Sequence, residues 1–409
     1  MNDNSIKVLY ISYDGMTDPL GQSQVLPYLE GLAKKNYAIT LISFEKEERK
    51  GDKEKIKKLT ESMSIDWLPL TYTKRPPVIS TIRDILKLYS KAKQLLDVKK
   101  FSIVHCRSYI SALIGLKLKR THNIKFVFDM RGFWVDERIE GGVWNMSNPL
   151  YQVIYRFFKH KEKQFLLESD YIISLTKNGK RAINALYGDN TLPIEIIPCC
   201  VDSDHFDYSK IEVTELLELK SELSINEDDF VLSYLGSIGT WYMLSEMLDF
   251  FKLLLDKKPN SIFLFITADS PTEIMNCADS KGIDTGRLRV EVAKRDEVPK
   301  MLSVSDVSLF FIKPVFSKKA SSPTKLGEIM SMGIPVICNG KVGDIEETVD
   351  QNVGSIVADF DVKSYEQAIN DIPKLLEKEK SSIRNHAIAR FSLQDGIRTY
   401  EYVYEHLLT

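Results

Sequence analysis

The sequence lacks the patterns that identify several classes of protein. Its five cysteines include no C-x-x-C pair, and their odd number argues against both a closed disulfide framework and a structural zinc site. No apolar run approaches the ~20 residues that span a bilayer. The first residues have neither the basic leader nor the long apolar core of a signal peptide. These absences predict a protein that works in a reducing cytoplasm.

The net charge is small, and the usual dinucleotide-binding motif is absent. The formal net charge is −2, so a polyanion is not an expected partner and we expect no binding of nucleic acid. The G-x-G-x-x-G fingerprint of Rossmann dehydrogenases is absent. What the chain does have is 409 residues, 44 % of them hydrophobic and 27 % charged. This composition is typical of a globular protein of two or three domains.

Apolar runs and helical patterns alternate from one end of the chain to the other. KVLYIS (7–12) reads as a strand, residues 24–35 as a helix, and AITLIS (38–43) as a second strand. The same pattern restarts with strand DFVLSYLG (229–236) and helix WYMLSEMLDFFKLLLD (241–256). Strands that alternate with helices predict parallel sheets covered on both faces. The fold class is therefore α/β, with two Rossmann-like doubly wound domains.

The domain boundaries follow from this restart. We predict an N-terminal domain at 1–201, a C-terminal domain at 202–385 and a C-terminal helix at 386–409, with two alternatives open for the last helices: they cap the second domain or cross back to the first. The acidic stretch from Asp202 to Asp228 is the expected linker. Ligands of open α/β sheets bind outside the carboxyl ends of the strands. We therefore expect the two domains to face each other across a cleft.

A glycine-containing loop follows the first strand of each predicted domain. In the first, a helix is expected to begin near Gly21 or Gln22, and its free N–H groups would favour an anion or a sugar hydroxyl. In the second, Gly236 and Ser237 precede a predicted helix start suited to a diphosphate. The alternative is an ordinary turn in both places. Tyr242 is expected to be a packing residue.

Charged residues also follow two other strands of the first domain. Asp129 lies near the end of the strand candidate IKFVFDM (124–130), and Arg131 follows it directly, at the start of a long loop that mixes charges with aromatic residues. His105 and Arg107 end the neighbouring run. A functional loop at the sheet edge is one interpretation, and a surface cluster of ion pairs is the other.

The segment SSPTKLGEIMSMGIPVI predicts a short helix followed by a buried strand. Ser322 suits the N-cap and Pro323 the first helical position. Lys325 and Glu328 are three residues apart, which allows an i,i+3 surface ion pair. However, a lysine in the first turn opposes the helix dipole. Because Lys325 breaks this local preference at the predicted ligand-binding edge, a functional role for it is favoured.

Four segments together support a family resemblance. PTKLGEIMSMGIPVI, IIPCCVDSDHF, FVLSYLGSIG and VPKMLSVSDVSLFF occur in an order and spacing that resemble those of retaining glycosyltransferases of family four, which have the two-domain GT-B fold. The Ser-Pro-Thr-Lys version of the helix motif resembles the bacterial surface-polysaccharide type. The sequence departs from the family at Ala320, where a second Glu is usual, and at Cys199-Cys200, where Asn-Gly is usual.

The resemblance implies a role for each candidate residue. Glu328 would bind the ribose hydroxyls of a nucleotide-sugar, and Lys325 would stabilise the leaving diphosphate. Asp129 and Arg131 complete the implied catalytic group. The implied donor-binding residues are Gly236, Ser237, Arg295, Ser321, Ser322, Thr324 and Leu326. The implied acceptor-binding residues are Gly21, Gln22, His105 and Arg107. No metal and no cofactor other than the donor substrate is implied.

The implied acceptor is a hydroxyl of a glycan or of a lipid-linked saccharide. Basic amphipathic stretches at 74–100 and 155–167 suggest docking on the inner face of the cell membrane, although solvated charges above packed apolar stripes are the alternative. Two rival functions stay open at this point. One is a nucleotide-sugar epimerase on the same fold, and the other is a two-lobed sugar-binding protein.

Overall fold

A computed structural model describes residues 5–188 and 191–409, which divide into two units. The first unit contains the chain up to Pro198 together with Lys319–Ser321 and Leu393–Thr409. The second contains Cys199–Lys318 and Ser322–Ser392. The chain therefore leaves the first unit after Pro198, rejoins it for three residues, and rejoins it again from Leu393 onward.

A parallel sheet of seven strands forms the centre of the first unit in the part of the chain described. The strands are β1 (Ile6–Ser12), β2 (Tyr37–Glu45), β3 (Asp66–Thr71), β4 (Ile103–Arg107), β5 (Lys125–Asp129), β6 (Tyr171–Ser174) and β7 (Ile194–Ile196). Their order across the sheet is β3-β2-β1-β4-β5-β6-β7. The central strands are apolar runs that are buried on both faces, as helices on each side of a parallel sheet require.

The helices of the first unit lie on the two faces of this sheet. They are α1 (Pro19–Gln24), α2 (Leu26–Ala33), α3 (Lys53–Ser62), α4 (Ile79–Val98), α5 (Ser108–His122), α6 (Trp134–Glu140), α7 (Pro149–Glu168) and α8 (Lys177–Tyr187). Helices α4 and α7 each pack against α5. A right-handed crossover puts helices on opposite faces when the chain moves in opposite directions along a sheet. Therefore α4, α5 and α7 share the face opposite to α2.

The second unit repeats this architecture around a parallel sheet of six described strands. These are β8 (Phe230–Leu235), β9 (Ser261–Ile266), β10 (Leu288–Glu291), β11 (Val307–Phe310), β12 (Val336–Asn339) and β13 (Gly354–Val357), in the order β10-β9-β8-β11-β12-β13. The helices are α9 (Val213–Glu222), α10 (Leu244–Lys257), α11 (Pro271–Ser280), α12 (Val298–Leu302), α13 (Thr324–Ser331), α14 (Ile345–Thr348), α15 (Val362–Leu376) and α16 (Lys380–Phe391). A continuous apolar core fills the space between them.

The last helix, α17 (Leu393–Leu408), belongs to the first unit and packs against α2. Of the two alternatives that the sequence left open for the last helices, α17 follows the crossing back, whereas α16 stays in the second unit. The two Rossmann-like sheets are confirmed. No described helix has both the length and the apolar content needed to cross a membrane.

Three local predictions were wrong. Helix α10 begins at Leu244 rather than Trp241, because Tyr242 instead forms a backbone bridge with Ile312. Helix α1 begins at Pro19, ahead of Gly21, since proline is favoured at a first helical position. The acidic linker contains helix α9, and strand β13 was not predicted.

Candidate functional site

The carboxyl ends of β4 and β5 bring four of the predicted residues together. His105 and Arg107 belong to β4, and Asp129 ends β5 directly opposite Arg107. Arg131 follows with a positive φ of 56°, a conformation that costs about 1–3 kcal/mol in a residue other than glycine and is found mainly at functional sites. The sequence thus located a genuine charged cluster at this edge.

The cluster is a buried network rather than a set of surface ion pairs. Asp129 is fully buried and accepts a hydrogen bond of 3.0 Å from the Tyr400 hydroxyl. The Arg131 guanidinium lies 3.8 Å from Asp129 Oδ1, and His105 Nε2 lies 3.6 Å from Oδ2. Nδ1 of His105 is 2.7 Å from the hydroxyl of Tyr404. Both tyrosines come from α17, so the last helix of the chain holds this edge in place.

The pKa is lowered for both Asp129 and His105, but the consequences for their charges are opposite. Burial alone would raise the pKa of Asp129, but Arg131, His105 and Arg107 outweigh it and the pKa is lowered. The carboxylate is therefore kept ionised. Burial lowers the pKa of His105 in spite of Asp129. The imidazole is therefore kept neutral.

The loop after β1 is closed by the protein's own carboxylate. Glu45, at the end of β2, is fully buried and accepts from the backbone N–H groups of Met16 (2.9 Å) and Thr17 (3.0 Å). It also accepts from the Thr17 hydroxyl at 2.7 Å and from the Ser43 hydroxyl at 2.6 Å. Glu45 thus satisfies the Met16 and Thr17 N–H groups, which precede α1 and are not the N–H groups near Gly21 and Gln22 that the sequence suggested for a ligand.

The two residues predicted to bind the acceptor in this loop have packing roles in the structure. A Cβ at Gly21 would lie 2.2 Å from the Gly15 carbonyl oxygen, so only glycine allows the loop to close. The Gln22 side chain donates from Nε2 to the Thr17 carbonyl oxygen at 3.2 Å. Contact of either residue with an acceptor stays a prediction.

The corresponding loop of the second unit follows β8. The Ile238 N–H donates to Asp269 Oδ2 at 2.6 Å, and the Tyr234 hydroxyl donates to the Ser237 carbonyl oxygen. Gly236 has a φ of 105°, which residues with a side chain rarely adopt. The loop is thus a turn held by an aspartate and a tyrosine, and no helix begins within it.

Helix α13 begins one residue later than the sequence predicted. Pro323 occupies the N-cap position and makes no side-chain cap hydrogen bond. The Ser322 hydroxyl, expected to be the cap, instead accepts from the Cys199 N–H at 3.1 Å. Thr324 is the first helical residue, and Leu326 is buried in the apolar core. Ser321 belongs to the first unit.

Glu328 is paired, but its partner is not Lys325. The Arg295 guanidinium donates to Glu328 Oε1 at 3.2 Å and lies over the ring of Phe206. His205 Nε2 lies 3.0 Å from the Arg295 carbonyl oxygen. Burial raises the pKa of Glu328, and Arg295 partly opposes that rise. The surface ion pair considered for α13 is therefore absent, and Arg295 joins the edge at which Glu328 stands.

Lys325 is enclosed by aromatic rings. Its Nζ donates to the Tyr234 hydroxyl oxygen at 3.1 Å and lies 3.6 Å from the centre of the Tyr242 ring. Residues 234 and 242 were not among the predicted site residues, and Tyr242 was expected only to pack. Two aromatic residues on either side of a glycine turn are the one sequence feature that could have suggested this enclosure.

The second unit thus offers a carboxylate, a guanidinium and a buried amine at one sheet edge. A carboxylate can accept hydrogen bonds from a diol, and the two cationic side chains suit a phosphate. In residues 5–188 and 191–409, no group of three or more His, Cys, Asp or Glu side chains has an arrangement that would hold a metal ion. The edge therefore suits a polar, phosphorylated small molecule.

Two family models match consecutive parts of the chain. Residues 23–205 match the model for Glycosyltransferase Family 4, and residues 217–389 match the model for Glycosyl transferases group 1. Together the two matches account for most of the sequence. No curated protein matches the chain at a significant level.

Solved structures agree with this assignment at the level of the fold. Sucrose-phosphate synthase from Thermosynechococcus elongatus has a TM-score of 0.76, with 15 % identity over 98 % of this chain and 99 % of its own. A glycosyltransferase from Rickettsia africae has a TM-score of 0.73, with 15 % identity over 99 % of both chains. HepE from Anabaena, in complex with UDP and glucose, has a TM-score of 0.69, with 15 % identity over 98 % of this chain and 99 % of its own. The chain belongs to the glycosyltransferases of the family 4 type, with the GT-B fold.

Proposed function

We propose that the protein transfers a sugar, with retention of anomeric configuration, from a nucleoside-diphosphate sugar to a hydroxyl of a saccharide or lipid-linked saccharide. We place this reaction in the synthesis of a bacterial surface polysaccharide, on the basis of the Ser-Pro-Thr-Lys motif at the start of α13. The observation that carries the donor assignment is the meeting of Glu328, Arg295 and Lys325 at the strand ends of the second unit. The Anabaena neighbour, whose structure contains UDP and glucose, supports the same donor class.

Glu328 is the residue that we assign to the ribose. Its Oε1 is bonded to Arg295, and the remaining lone pairs of the carboxylate can accept from two adjacent hydroxyl groups. The Arg295 guanidinium also keeps the carboxylate oriented. Because a hydrogen bond to a charged group contributes about 1.5–3 kcal/mol, loss of the charge at 328 should weaken donor binding about tenfold to a hundredfold.

The donor assignment can be tested by thermal stabilisation. UDP- and GDP-sugars are screened against the wild-type protein, and the sugar that raises the melting temperature is then tested on Glu328→Gln. A ligand that binds only the folded state stabilises it by mass action. The matched control is Glu366→Gln, which changes an exposed carboxylate on α15 of the same unit. If no nucleotide-sugar stabilises the wild type, the assignment is wrong.

Retention and the need for an acceptor separate transfer from the rival reactions. In our mechanism the departing diphosphate accepts the proton of the acceptor hydroxyl on the same face of the sugar, while nearby cations stabilise the growing negative charge. Release of nucleoside diphosphate should then require an acceptor, and the new bond should keep the configuration of the donor. An epimerase would convert the donor without an acceptor. A product of inverted configuration by NMR would contradict the mechanism.

Metal independence is a separate part of the proposal. It rests on the family resemblance and on the arginine and lysine side chains that can accompany the diphosphate. Transfer should continue in excess chelator. Activity that is lost in chelator and returns only with added metal would contradict this part and leave the donor assignment intact.

We also propose that one face of the first unit docks on an anionic membrane. Helices α4 and α7, which both pack against α5, each expose an apolar ridge with i, i+3, i+7 spacing. The ridge residues are Ile79, Ile82 and Leu86 on α4, and Leu150, Val153 and Phe157 on α7. Exposed basic side chains flank both ridges, namely Arg83, Lys87, Arg156 and Lys163. Apolar ridges flanked by basic residues suit the boundary between acyl chains and acidic headgroups.

Vesicle co-sedimentation tests this face. Wild-type protein should bind vesicles that contain phosphatidylglycerol more strongly than vesicles of phosphatidylcholine alone, and salt should weaken the binding. The double variant Ile82→Ser, Leu86→Ser should lose most of it. A matched control is Val213→Ser, Leu217→Ser, because α9 exposes an apolar pair between glutamates. Equal binding to both kinds of vesicle, or equal loss in the two double variants, would contradict the proposal.

A further inference from the structure

The side chain of Lys325 ends in a pocket made of aromatic rings. Its Nζ lies 3.6 Å from the centre of the Tyr242 ring and 4.1 Å from that of Tyr234. Phe310 stands further away, at 5.9 Å. Lys325 is only 6 % exposed. The amine is therefore shielded from water although it belongs to a predicted ligand-binding edge.

No carboxylate of the described residues lies within ion-pairing distance of this amine. Glu328, one turn further along α13, is bonded to Arg295 instead. The Tyr234 hydroxyl proton is donated to the Ser237 carbonyl oxygen, so the tyrosine oxygen can only accept from Lys325. The amine thus has one hydrogen-bond acceptor, and the nearest carboxylate that acts on it, Glu328, is not in ion-pairing contact with it.

The charged form of such an amine is disfavoured. Taking an ammonium ion out of water costs several kcal/mol, whereas a desolvated cation gains about 2 kcal/mol from an aromatic face. Burial accordingly lowers the pKa of Lys325 well below its usual value, and the Glu328 carboxylate opposes this only in part. An anion bound beside the amine would stabilise the ammonium form and so favour the charged state instead.

The position of the amine relative to the loop after β8 shows where such an anion would bind. A Cβ built on Gly236 would lie 3.3 Å from Nζ of Lys325. The amine therefore lies beside the backbone of the turn that follows the first strand of this unit, and glycine leaves a gap between them. Ligands of α/β sheets bind at this position, so a diphosphate that reached the turn would approach the amine.

We propose that Lys325 is an uncharged amine in the empty site and takes up one proton from solvent when a nucleoside diphosphate binds. This inference rests on the proposed function, since it concerns the same donor site. The step forms one N–H bond on the amine and breaks one bond to hydrogen in a protonated buffer or water molecule, whose conjugate base stays in solution, and no bond in the ligand breaks. The resulting ammonium ion is the counter-ion of the diphosphate. Tyr234 and Tyr242 are positioning residues, because they keep water from the amine before the ligand arrives.

Other titratable groups near the pocket face it from several elements. Tyr234 lies on β8, Tyr242 precedes α10 and Glu328 lies on α13, while Arg295 and His205 act on the Glu328 carboxylate. Asp269 acts on Tyr234, and Cys199 acts on Tyr242. Glu328 is thus another group that could change its protonation on binding. A test must separate it from Lys325.

Calorimetric titration with UDP and with GDP measures the proton directly. At pH 8.5 the diphosphate is fully ionised, so any proton that is taken up must go to the protein. The observed heat should differ between Tris and EPPS buffers by an amount that corresponds to about one proton per bound nucleotide. Uridine and guanosine, which carry no phosphate, should show no such difference. Equal heats in both buffers for a wild-type protein that binds the nucleotide would overturn the proposal.

Variants assign the proton to Lys325. Lys325→Met should bind nucleotide more weakly and without proton uptake, whereas Glu328→Gln should keep the uptake. Tyr242→Phe retains the ring and should retain the uptake. Tyr242→Ser should admit water, so that the amine is already charged in the empty protein and the uptake falls. Uptake that persists in Lys325→Met would also overturn the proposal.

The same titration distinguishes failure of the proposed donor class from failure of the proton coupling. If neither nucleotide binds the wild-type protein, the proposed donor class fails. If one binds without proton uptake, the donor class stands and only the proton coupling fails. Circular dichroism of Lys325→Met and Tyr242→Ser shows whether weak binding reflects loss of the fold.

Discussion

The turns that follow β1 and β8 are both held by hydrogen bonds to a carboxylate. They differ in the charged groups that lie beside them. In both, a carboxylate from the end of the neighbouring strand region bonds to backbone N–H groups of the turn. Glu45 accepts from two backbone N–H groups and two hydroxyl groups in the first unit, and Asp269 accepts from the Ile238 N–H in the second. In the second unit, however, the amine of Lys325 lies beside the turn. The comparison suggests that the first turn is structural and that the second is prepared for an anion.

The two units also differ in whether their buried charged residues have partners within the protein. In the first unit, Asp129 is surrounded by Arg131, His105 and Tyr400, so its charge is compensated within the protein. In the second, no carboxylate among the described residues forms an ion pair with Lys325, and Glu328 offsets the effect of burial on its pKa only in part. Buried charges are normally paired. A compensated cluster is stable without a ligand, whereas an uncompensated amine indicates a site completed by one.

The largest expected effect comes from removal of the Glu45 carboxylate. Glu45→Ala leaves several buried donors without an acceptor, which should lower the free energy of unfolding of the first unit by about 3–5 kcal/mol. Urea unfolding followed by tryptophan fluorescence in a Trp241→Phe background reports this, because the other tryptophans lie in the first unit. Glu47→Ala, at an exposed glutamate, is the control. A loss below 1 kcal/mol would show that the first turn does not depend on its carboxylate.

The next largest effect is a difference in stability between two variants that each add one methyl group, Gly21→Ala near the first turn and Gly239→Ala in the second. In Gly21→Ala the new Cβ would meet the backbone of Gly15 and Met16, so the first unit should lose about 1–3 kcal/mol. In Gly239→Ala the nearest atom is Ser237 Oγ at 3.7 Å, an ordinary contact. That variant should stay within about 0.5 kcal/mol of wild type in urea unfolding. Equal losses in the two variants would contradict the difference in closure.

Asp269 provides a smaller and more specific test. Asp269→Asn keeps the size of the side chain but weakens its bond to the Ile238 N–H, which should cost the second unit about 1 kcal/mol. Because the same turn lies beside Lys325, the variant should also weaken the binding of UDP or GDP. Calorimetric titration measures this effect. Unchanged nucleotide affinity would separate the turn from the donor site.

The smallest expected effect is a dependence of stability on pH. The pKa of His105 is lowered in the folded protein, so the unfolded chain binds a proton first as the pH falls. The stability contributed by neutral His105 is therefore fully present above about pH 6.5. It is lost as the pH falls from there through the folded-state pKa. The melting temperature of the first unit should fall less steeply between pH 7 and pH 5 in His105→Asn than in wild type. Parallel curves would show that the network does not restrain the imidazole.

Much of the fold could be predicted from the sequence, because β-strand and helix patterns depend on neighbouring residues. Runs such as DFVLSYLG and KVLYIS are apolar over the length of a buried strand, and both form the central strands β8 and β1. Helix ends were less predictable. Ser322 has the chemistry of an N-cap, but its hydroxyl bonds to Cys199, which is distant in the sequence. Tertiary contacts of this kind outweigh local preference.

The sequence indicated Lys325 and Glu328 as candidate site residues, but it did not indicate which residues they contact. Lys325 and Glu328 stood out because they sit in one helix at a strand edge, yet local spacing suggested that they might pair with each other. In the structure Glu328 pairs with Arg295 and Lys325 lies among tyrosines. The roles of Glu45 and Tyr400 could not be read from the sequence, because each acts on residues that only the folded chain brings near. No local pattern marks such partners.

The return of α17 to the first unit affects the order in which the protein can be completed during synthesis. Most of the first sheet leaves the ribosome early, but Tyr400 and Tyr404, which contact Asp129 and His105, are made only after the second unit. Cys199–Lys318 and Ser322–Ser392 have by then all been translated. The second unit can therefore be finished while the first still waits for its last helix. A chain interrupted before Leu393 would leave the buried network of the first sheet incomplete, although every strand of that sheet would be present.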